Sequence, residues 1–350
     1  MDVLSDTLRV VRLTGAVFLN MRMTSPWAAA SEPPDLLAAY FRLPSDCLAL
    51  FHILVEGRGC IAMSGYAPVM LEPGDAILLP HSSPHTMSSD LHVRVTPVPM
   101  RAVLPSQAPE GIIEAQGGGP GAPSQFICGY LHCDQRFNPL LGALPPLIVV
   151  RVGSARPTGV DATGVARDSA GPILIVAPED WLGMTLRHMT EESLDGRPGR
   201  ADMLARLSEI LFAEMVRRYM NNLSPADHGW LAGVRDPIVG QALRLIHEQP
   251  EQPWTVAELA DAASVARSTL AQRFSTLIGE TPMRYLATWR IQIAKRLLCE
   301  TDARLAVIAE RVGYESEAAF NRAFRRHVGY PPATWRAANE PPPPRAHGVS

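Results

Sequence analysis

The chain has 350 residues, 47% apolar and 19% charged, enough for two or three domains with cores of their own and too apolar for a disordered chain. No apolar run approaches the roughly 20 residues that span a bilayer, and five cysteines, odd in number and unevenly spaced, do not read as a disulfide framework. The net charge of −3 hides an imbalance: residues 255–338 hold 12 Lys and Arg against 8 Asp and Glu, the remainder 20 against 27. A basic C-terminal part after an acidic body suits a polyanionic partner.

The opening "MDVLSDTLRVVRLTG" carries an early acid and no long apolar core, so the expected location is the cytoplasm. Short apolar or alternating runs follow, "AVFLNMRM", "CLALFHILVEG", "RGCIAM" and "PVMLEPGDAILLP", separated by Gly, Pro and Asp. These predict strands, with "EPGD" at 72–75 as a turn, and their regular spacing predicts an all-β sandwich or barrel. Residues 114–125, "EAQGGGPGAPSQ", read as a Gly/Pro-rich loop, and "LPPLIVVRV" as a further strand.

From about Gly199 the period changes. Leu204, Leu207, Leu211 and Met215 follow the spacing of one helical face, widened by Ile210, Phe212 and Val216. Such a helix packs on its own barrel or against a second copy. The chain onward to Ala338 is helical in period, and "EPPPPRAHGVS" reads as a disordered tail.

Within the helical part a small unit occurs twice. Phe274, Gly279, Pro282 and Tyr285 recur fifty residues on as Phe324, Gly329, Pro332 and Trp335. In the first copy Thr255 and Glu258 form a capping-box pattern that starts a helix at "VAELADAA". A short turn leads to "RSTLAQRFSTLI", stopped by Gly279. Leu270, Phe274 and Leu277 face inward there, leaving Ser268, Ala271, Gln272 and Ser275 outside. In the second copy Gly313 supplies the turn after "LAVIAERV", and Phe320 and Phe324 face inward from "SEAAFNRAFRRHV". Glu317, Ala318, Asn321, Arg322 and Arg325 remain outside. Between the copies, Leu286, Ile291, Ala294 and Leu298 mark a long amphipathic helix able to join them. Two short helices across a tight turn describe a helix-turn-helix, and short polar side chains with Asn, Gln and Arg are what reading base edges and gripping phosphates require.

Residues 236–336 resemble the DNA-binding domain of AraC/XylS-type bacterial transcription regulators, on "WTVAELADAA", "STLAQRF…GETPMRYLATWRIQIAKRLL" and "IAERVGYESEAAFNRAFRRHVGYPPATWR". The resemblance implies base-facing positions at Ser268, Ala271, Gln272 and Arg273, and at Glu317, Ala318, Asn321 and Arg322, with Arg325 also toward DNA. Two departures stand in the first copy: Ser264 replaces the turn glycine and Ala266 the N-capping Ser. A lost cap costs about 0.5–2 kcal/mol, so the first recognition helix is expected to be the less rigid. Glu317 repels phosphate unless it accepts from a cytosine amino group.

The N-terminal part is similar to cupin-type sensor domains. Gly74, Pro80 and His85 fit the second cupin motif, and His52 and Glu56 the end of the first, although Leu50 stands where the first histidine of the H-x-H pair belongs. By that resemblance His52, Glu56, His81 and His85 are candidates for an effector pocket, and His52, Glu56 and His85 for three ligands of a metal ion. The competing reading is a metal-dependent cupin enzyme with a helical appendage; a sensor requires no catalysis. Cys128 and Cys133 on "CGYLHC" are candidates for a redox switch, against the plainer role of small buried residues.

The expected fold is therefore multidomain, an N-terminal all-β cupin-like barrel followed by a C-terminal all-α double helix-turn-helix. Expected boundaries are a sensor at 1–195, a helical linker and dimerisation helix at 196–235, the DNA-binding domain at 236–338, and a tail at 339–350. The expected partners are double-stranded DNA, a second copy in a homodimer, a small-molecule effector and, by resemblance, RNA polymerase, with activation as the output.

Overall fold

The computed structural model describes residues 3–11, 13–41, 43, 48–105, 111–133, 139–152, 165–166, 173–177, 181–194, 197–221, 223 and 227–338. The chain divides into two compact units, one of Val11–Ser224 and one of Pro225–Ser350 with Met1–Val10. Among the described residues no helix is long and apolar enough to cross a membrane.

A first helix, α1 (Val3–Val11), precedes the sheet-rich unit. That unit then runs β1 (Leu13–Thr24), β2 (Ala28–Ala30), α2 (Pro34–Phe41), β3 (Leu48–Glu56), β4 (Gly59–Met63), β5 (Val69–Leu71), β6 (Ala76–Leu79), β7 (His85–Ser88) and β8 (Val98–Pro99). It continues with β9 (Ile113–Gly118), β10 (Pro123–Cys133), α3 (Pro139–Gly142), β11 (Ile148–Val152), β12 (Val165–Ala166), β13 (Ile173–Ala177), α4 (Trp181–Leu194) and α5 (Arg200–Asn221). Eight strands form one sheet in the order β12-β13-β11-β6-β3-β10-β1-β9, and five form another in the order β5-β4-β7-β2-β8. Leu19, Met21, Leu50, Leu54, Phe126 and Cys128 of the larger sheet share one apolar core with Ile61, Met63 and Met87 of the smaller. This is the expected all-β cupin-like barrel. Each large apolar side chain so buried contributes about 1.5–3 kcal/mol.

The "EPGD" turn holds for a reason beyond its residue types. Gly74 takes φ +94°, and the Asp75 carboxylate accepts from the Glu72 amide at 3.0 Å. Asp75 is buried and meets Arg151 of β11, whose Nε and Nη2 donate to it at 3.1 and 2.9 Å. Arg151 Nη2 also donates to the Met70 carbonyl at 2.8 Å, so one guanidinium pins β5, the turn and β11 together.

Helix α5 packs on the outer face of β1. Gly15 permits this: a Cβ there would lie 2.8 Å from the Ala205 carbonyl oxygen and 2.9 Å from Ser208 Cβ. Leu204, Leu211, Phe212, Met215 and Val216 are buried, whereas Ile210, read as part of the apolar face, is 47% exposed.

Residues 114–125 are a correction. They were expected as a loop, but most of them lie in β9 and β10, which flank β1, β9 in parallel and β10 antiparallel. The glycines are there for closeness: a Cβ on Gly118, at φ +106°, would collide with the Thr24 carbonyl oxygen.

The helical unit contains α6 (Trp230–Arg235), α7 (Pro237–Glu248), α8 (Val256–Ala262), α9 (Arg267–Ile278), α10 (Pro282–Glu300), α11 (Leu305–Arg311), α12 (Glu317–Val328) and α13 (Pro332–Ala338). Helix α10 supplies Tyr285, Leu286 and Trp289 as buried residues toward its start, and Ile291, Ala294 and Leu298 to a second core with Ile308, Phe320, Phe324 and Trp335. Beside α10, His247 stacks on Trp289 at 3.8 Å between ring centroids and meets the Tyr285 hydroxyl at 2.9 Å. Trp230 Nε1 donates to the same hydroxyl at 2.8 Å. Residues 339–350, expected as a tail, lie outside the described residues.

Candidate functional site

The two helix-turn-helix units are α8–α9 and α11–α12, and their local chemistry explains each boundary. Thr255 accepts from the Glu258 amide at 3.2 Å while the Glu258 carboxylate accepts from the Thr255 amide at 2.8 Å, a complete capping box for α8. Gly279 and Gly329 end α9 and α12 in the left-handed conformation. The turns share one hydrogen-bond pattern: Ser264 N to Asp261 O and Val265 N to Ala260 O, against Gly313 N to Glu310 O and Tyr314 N to Ala309 O. The repeat is thus offset by 49 residues in the supporting helices and by 50 in the recognition helices, because the second turn is one residue longer.

Successive helix positions are 100° apart. On α9, Ser268 and Gln272 are exposed and Ala271 half-buried, within one arc opposite Leu270 and Phe274. On α12, Glu317, Ala318, Arg322 and Arg325 are exposed and Asn321 half-buried, opposite Phe320 and Phe324. The last turn of α12 carries Arg325 and Arg326, positive charge at the helix end where it is favoured.

Arg273 stands apart. The fifty-residue shift matches it to half-buried Ala323, and it points 100° away from Gln272. Its Nε donates to Asp236 Oδ2 at 2.8 Å and its Nη2 lies 2.6 Å from the same oxygen. Asp236 is the N-cap of α7 and also accepts from the Ile238 and Val239 amides at 3.0 and 2.9 Å. Burial pushes the Asp236 carboxyl up, but the Arg273 guanidinium and these two amides outweigh it and hold the pKa below the usual value. A cleft of about 390 Å³ beside the pair is lined by His228, Thr269, Gln272 and Thr276.

In the barrel unit the structure brings together His52 and His85 and separates the other two candidates. His52 Nε2 and His85 Nε2 lie 3.1 Å apart, both buried. His85 Nδ1 is 2.9 Å from the Ser83 carbonyl, which can only accept, so His85 carries its proton on Nδ1. Its Nε2 then accepts from His52 Nε2–H, and His52 Nδ1 is left with a buried lone pair that has no partner among the described residues. Burial, reinforced by His85, holds the His52 pKa well below the ordinary imidazole value; burial also lowers that of His85, against the pull of the Ser83 carbonyl. Both rings are neutral at pH 7.

Glu56 does not join them. Strand β3 pairs Leu54 with Phe126 and Glu56 with Gln125, so Val55 is an extra residue and every side chain after it changes face. His52 lies on the core face with Leu54, whereas Glu56 lies on the other face and pairs with Arg22 at 3.5 Å. His81 is exposed, with Nε2 3.0 Å from the Leu144 carbonyl. Among the described residues no three His, Cys, Asp or Glu side chains are placed to share a metal ion. The donors present, two imidazoles bonded to each other, do not fit the three-ligand set the cupin resemblance implies.

Cys128 is fully buried and burial pushes its thiol pKa far up, the reverse of what an exposed thiolate switch needs. The Cys133 side chain and Cys47 lie outside the described residues.

Comparison with known proteins gives two family models. One described as Cupin matches residues 2–166 and 171–221, and one described as Helix-turn-helix domain matches residues 259–338. A putative AraC-like transcription regulator of Streptomyces lividans is 31% identical over 339 residues, 96% of this chain and 98% of its own length. The HTH-type transcriptional regulator AlkR of Acinetobacter baylyi is 28% identical over 337 residues, 96% of this chain and 99% of its own. The solved DNA-binding domain of AdpA, in complex with a target DNA, is 36% identical, covering 29% of this chain and 92% of that one, with a TM-score of 0.28.

Proposed function

The chain belongs to the AraC-like transcription regulators, and from that premise we propose how it engages DNA and what controls it. It is a sequence-specific DNA-binding regulator. Helices α9 and α12 enter successive major-groove faces of one duplex, about 34 Å apart, carried on α10. Ser268, Ala271 and Gln272 face bases from α9; Glu317, Ala318, Asn321 and Arg322 do so from α12, and Arg325 holds the backbone. Arg273, in this reading, orients α9 through Asp236 rather than reading bases. The observation that carries the proposal is the pair of recognition helices whose outward arcs hold Gln272 and Arg322 at matching positions of the repeat.

The barrel unit is the sensor, with the neutral His52–His85 pair as its buried polar centre, and binding of an effector there alters how two copies present their DNA-binding units. The copies meet through α4 and α5, which leave Met184, Leu194, Met203 and Ile210 exposed. The output is activation through RNA polymerase in the bacterial cytoplasm, without catalysis by the chain itself. An Ile210→Glu variant should then be monomeric by light scattering; an unchanged mass places the interface elsewhere.

The direct test uses a duplex recovered from a random-sequence pool with the wild-type protein. Gln272→Ala and Arg322→Ala should each weaken binding to it by about 1–3 kcal/mol, the worth of a bidentate base contact. Unchanged affinity in both variants overturns the assignment.

A further inference from the structure

Helix α10 carries both helix-turn-helix units, and a residue near its midpoint ties them together a second time. Arg290 Nε donates to the Pro250 carbonyl at 2.6 Å and Nη2 to the Gln252 carbonyl at 2.7 Å, both in the segment between α7 and α8. The same guanidinium lies 5.7 Å from the ring centroid of Tyr314, in the turn between α11 and α12. Gly313 beside it, at φ +79°, comes so near that a Cβ would stand 2.5 Å from the Glu251 carbonyl oxygen and 2.7 Å from Arg290 Nη2. The turn of the second unit therefore rests on the 250–252 segment that leads into the first, with the guanidinium between them. Tyr314 in turn leans on Phe320, the inward anchor of α12, at 5.7 Å between ring centroids. The contact runs without a break from the segment ahead of α8 to the second recognition helix.

The two units are not equivalent here. At the matching turn the first unit has Ser264 and Val265, where the second has Gly313 and Tyr314. The glycine and the aromatic ring stand at the turn that meets the other unit.

We propose that Arg290 is a positioning residue that sets the distance and rotation between the two recognition helices, and so the base-pair spacing they can read together. Long helices are rarely straight, and without a second tie the placement of α12 relative to α9 would rest on the curvature of α10 and the packing along it. A duplex demands more: each added base pair moves the second contact by about 3.4 Å and about 35° around the axis. A charge-assisted tie placed off the α10 axis resists both displacements. This inference rests on the DNA-binding reading above.

The test measures affinity on the selected duplex and on versions with one or two base pairs inserted or removed between the two contacted segments. Wild type should prefer the selected spacing by about tenfold or more, the size of effect that charge-assisted bonds can enforce. Arg290→Met should flatten that preference to about twofold while leaving the order of preferred bases within each segment intact. Arg290→Lys, which keeps the charge but loses the planar fork that spans the two carbonyls, should fall between. Equal weakening at every spacing, with the wild-type profile retained, overturns the proposal and reduces Arg290 to a stabilising residue. Should Arg290→Met lose its fold by circular dichroism, Tyr314→Leu, which keeps both carbonyl bonds, reads the same profile with the same two outcomes. A wild-type protein that recovers no sequence from the pool overturns the DNA-binding reading itself, a result distinct from a flat or retained spacing profile.

Discussion

The two helix-turn-helix units share a hydrogen-bond pattern but divide their stabilising chemistry in opposite ways. In the first, the supporting helix α8 has the full capping box and the recognition helix α9 begins at Ala266 with no side-chain cap. In the second, α11 begins uncapped at Arg304 and α12 is capped by Ser316, which accepts from the Ala319 amide at 3.2 Å. The first unit also holds Ser264 at φ +54°, where the second has glycine. A left-handed L-residue costs about 1–2 kcal/mol. The sequence alone implies a loose first recognition helix, yet the structure supplies an external hold, the Arg273–Asp236 pair, that the second unit lacks at Ala323. The second recognition helix is secured by its own sequence and the first by a neighbour 37 positions upstream.

The strongest way to break this comparison is through the cores. Phe274→Ala and Phe324→Ala each empty a fully buried ring position and should cost about 3–5 kcal/mol in denaturant unfolding. If one costs under about 1 kcal/mol, that recognition helix is not anchored as described.

Acid should separate the units next. His247 is buried against Trp289 and Tyr285, with its pKa lowered by burial to about 3. An unfolded histidine titrates near 6.5, so between these values the unfolded state binds the extra proton. The stability contribution is complete above about pH 6.5 and is lost as pH falls toward 3. Amide exchange around α7 and α9 should therefore quicken on acidification before that around α12, whose core contains no buried histidine among the described residues. In His247→Gln the slope should shrink; an unaltered slope assigns it to another group.

Much of this was legible in advance. The capping box, both stop glycines, the inward Phe274 and Phe324, the α10 stripe and the strands around "EPGD" follow from local rules, in which a residue and its neighbours decide the conformation. Helix α4 was missed although Leu182, Leu186 and Met189 carry its spacing. Two features could not be read locally. The extra residue at Val55 reverses the face of Glu56, and a one-residue slip leaves no trace in the pattern of types, so the residue types alone still group Glu56 with His52. The Arg273–Asp236 pair depends on how α7 lies against α9, a packing outcome.

Smaller effects sharpen the contrast. Ser316→Ala should destabilise by about 1 kcal/mol, and Ala266→Ser should gain up to a similar amount by giving α9 the cap it lacks. Equal responses to loss and gain in thermal melts would support interchangeable caps; no gain from Ala266→Ser would mean that the start of α9 is already fixed. The smallest effect is on DNA: Asp236→Asn removes a negative charge, which by electrostatics alone strengthens binding, but releasing Arg273 should weaken it a few-fold. Tighter binding by Asp236→Asn would show that Arg273 is better employed on DNA than on α7.

The central claim, that α9 and α12 read two separate segments of one duplex, is tested most directly by repeating the random-pool selection with Gln272→Ala and Arg322→Ala. Each variant should lose base preference at its own few positions, the two sets lying about 10 base pairs apart. Loss at the same positions in both variants, or at none, would contradict it.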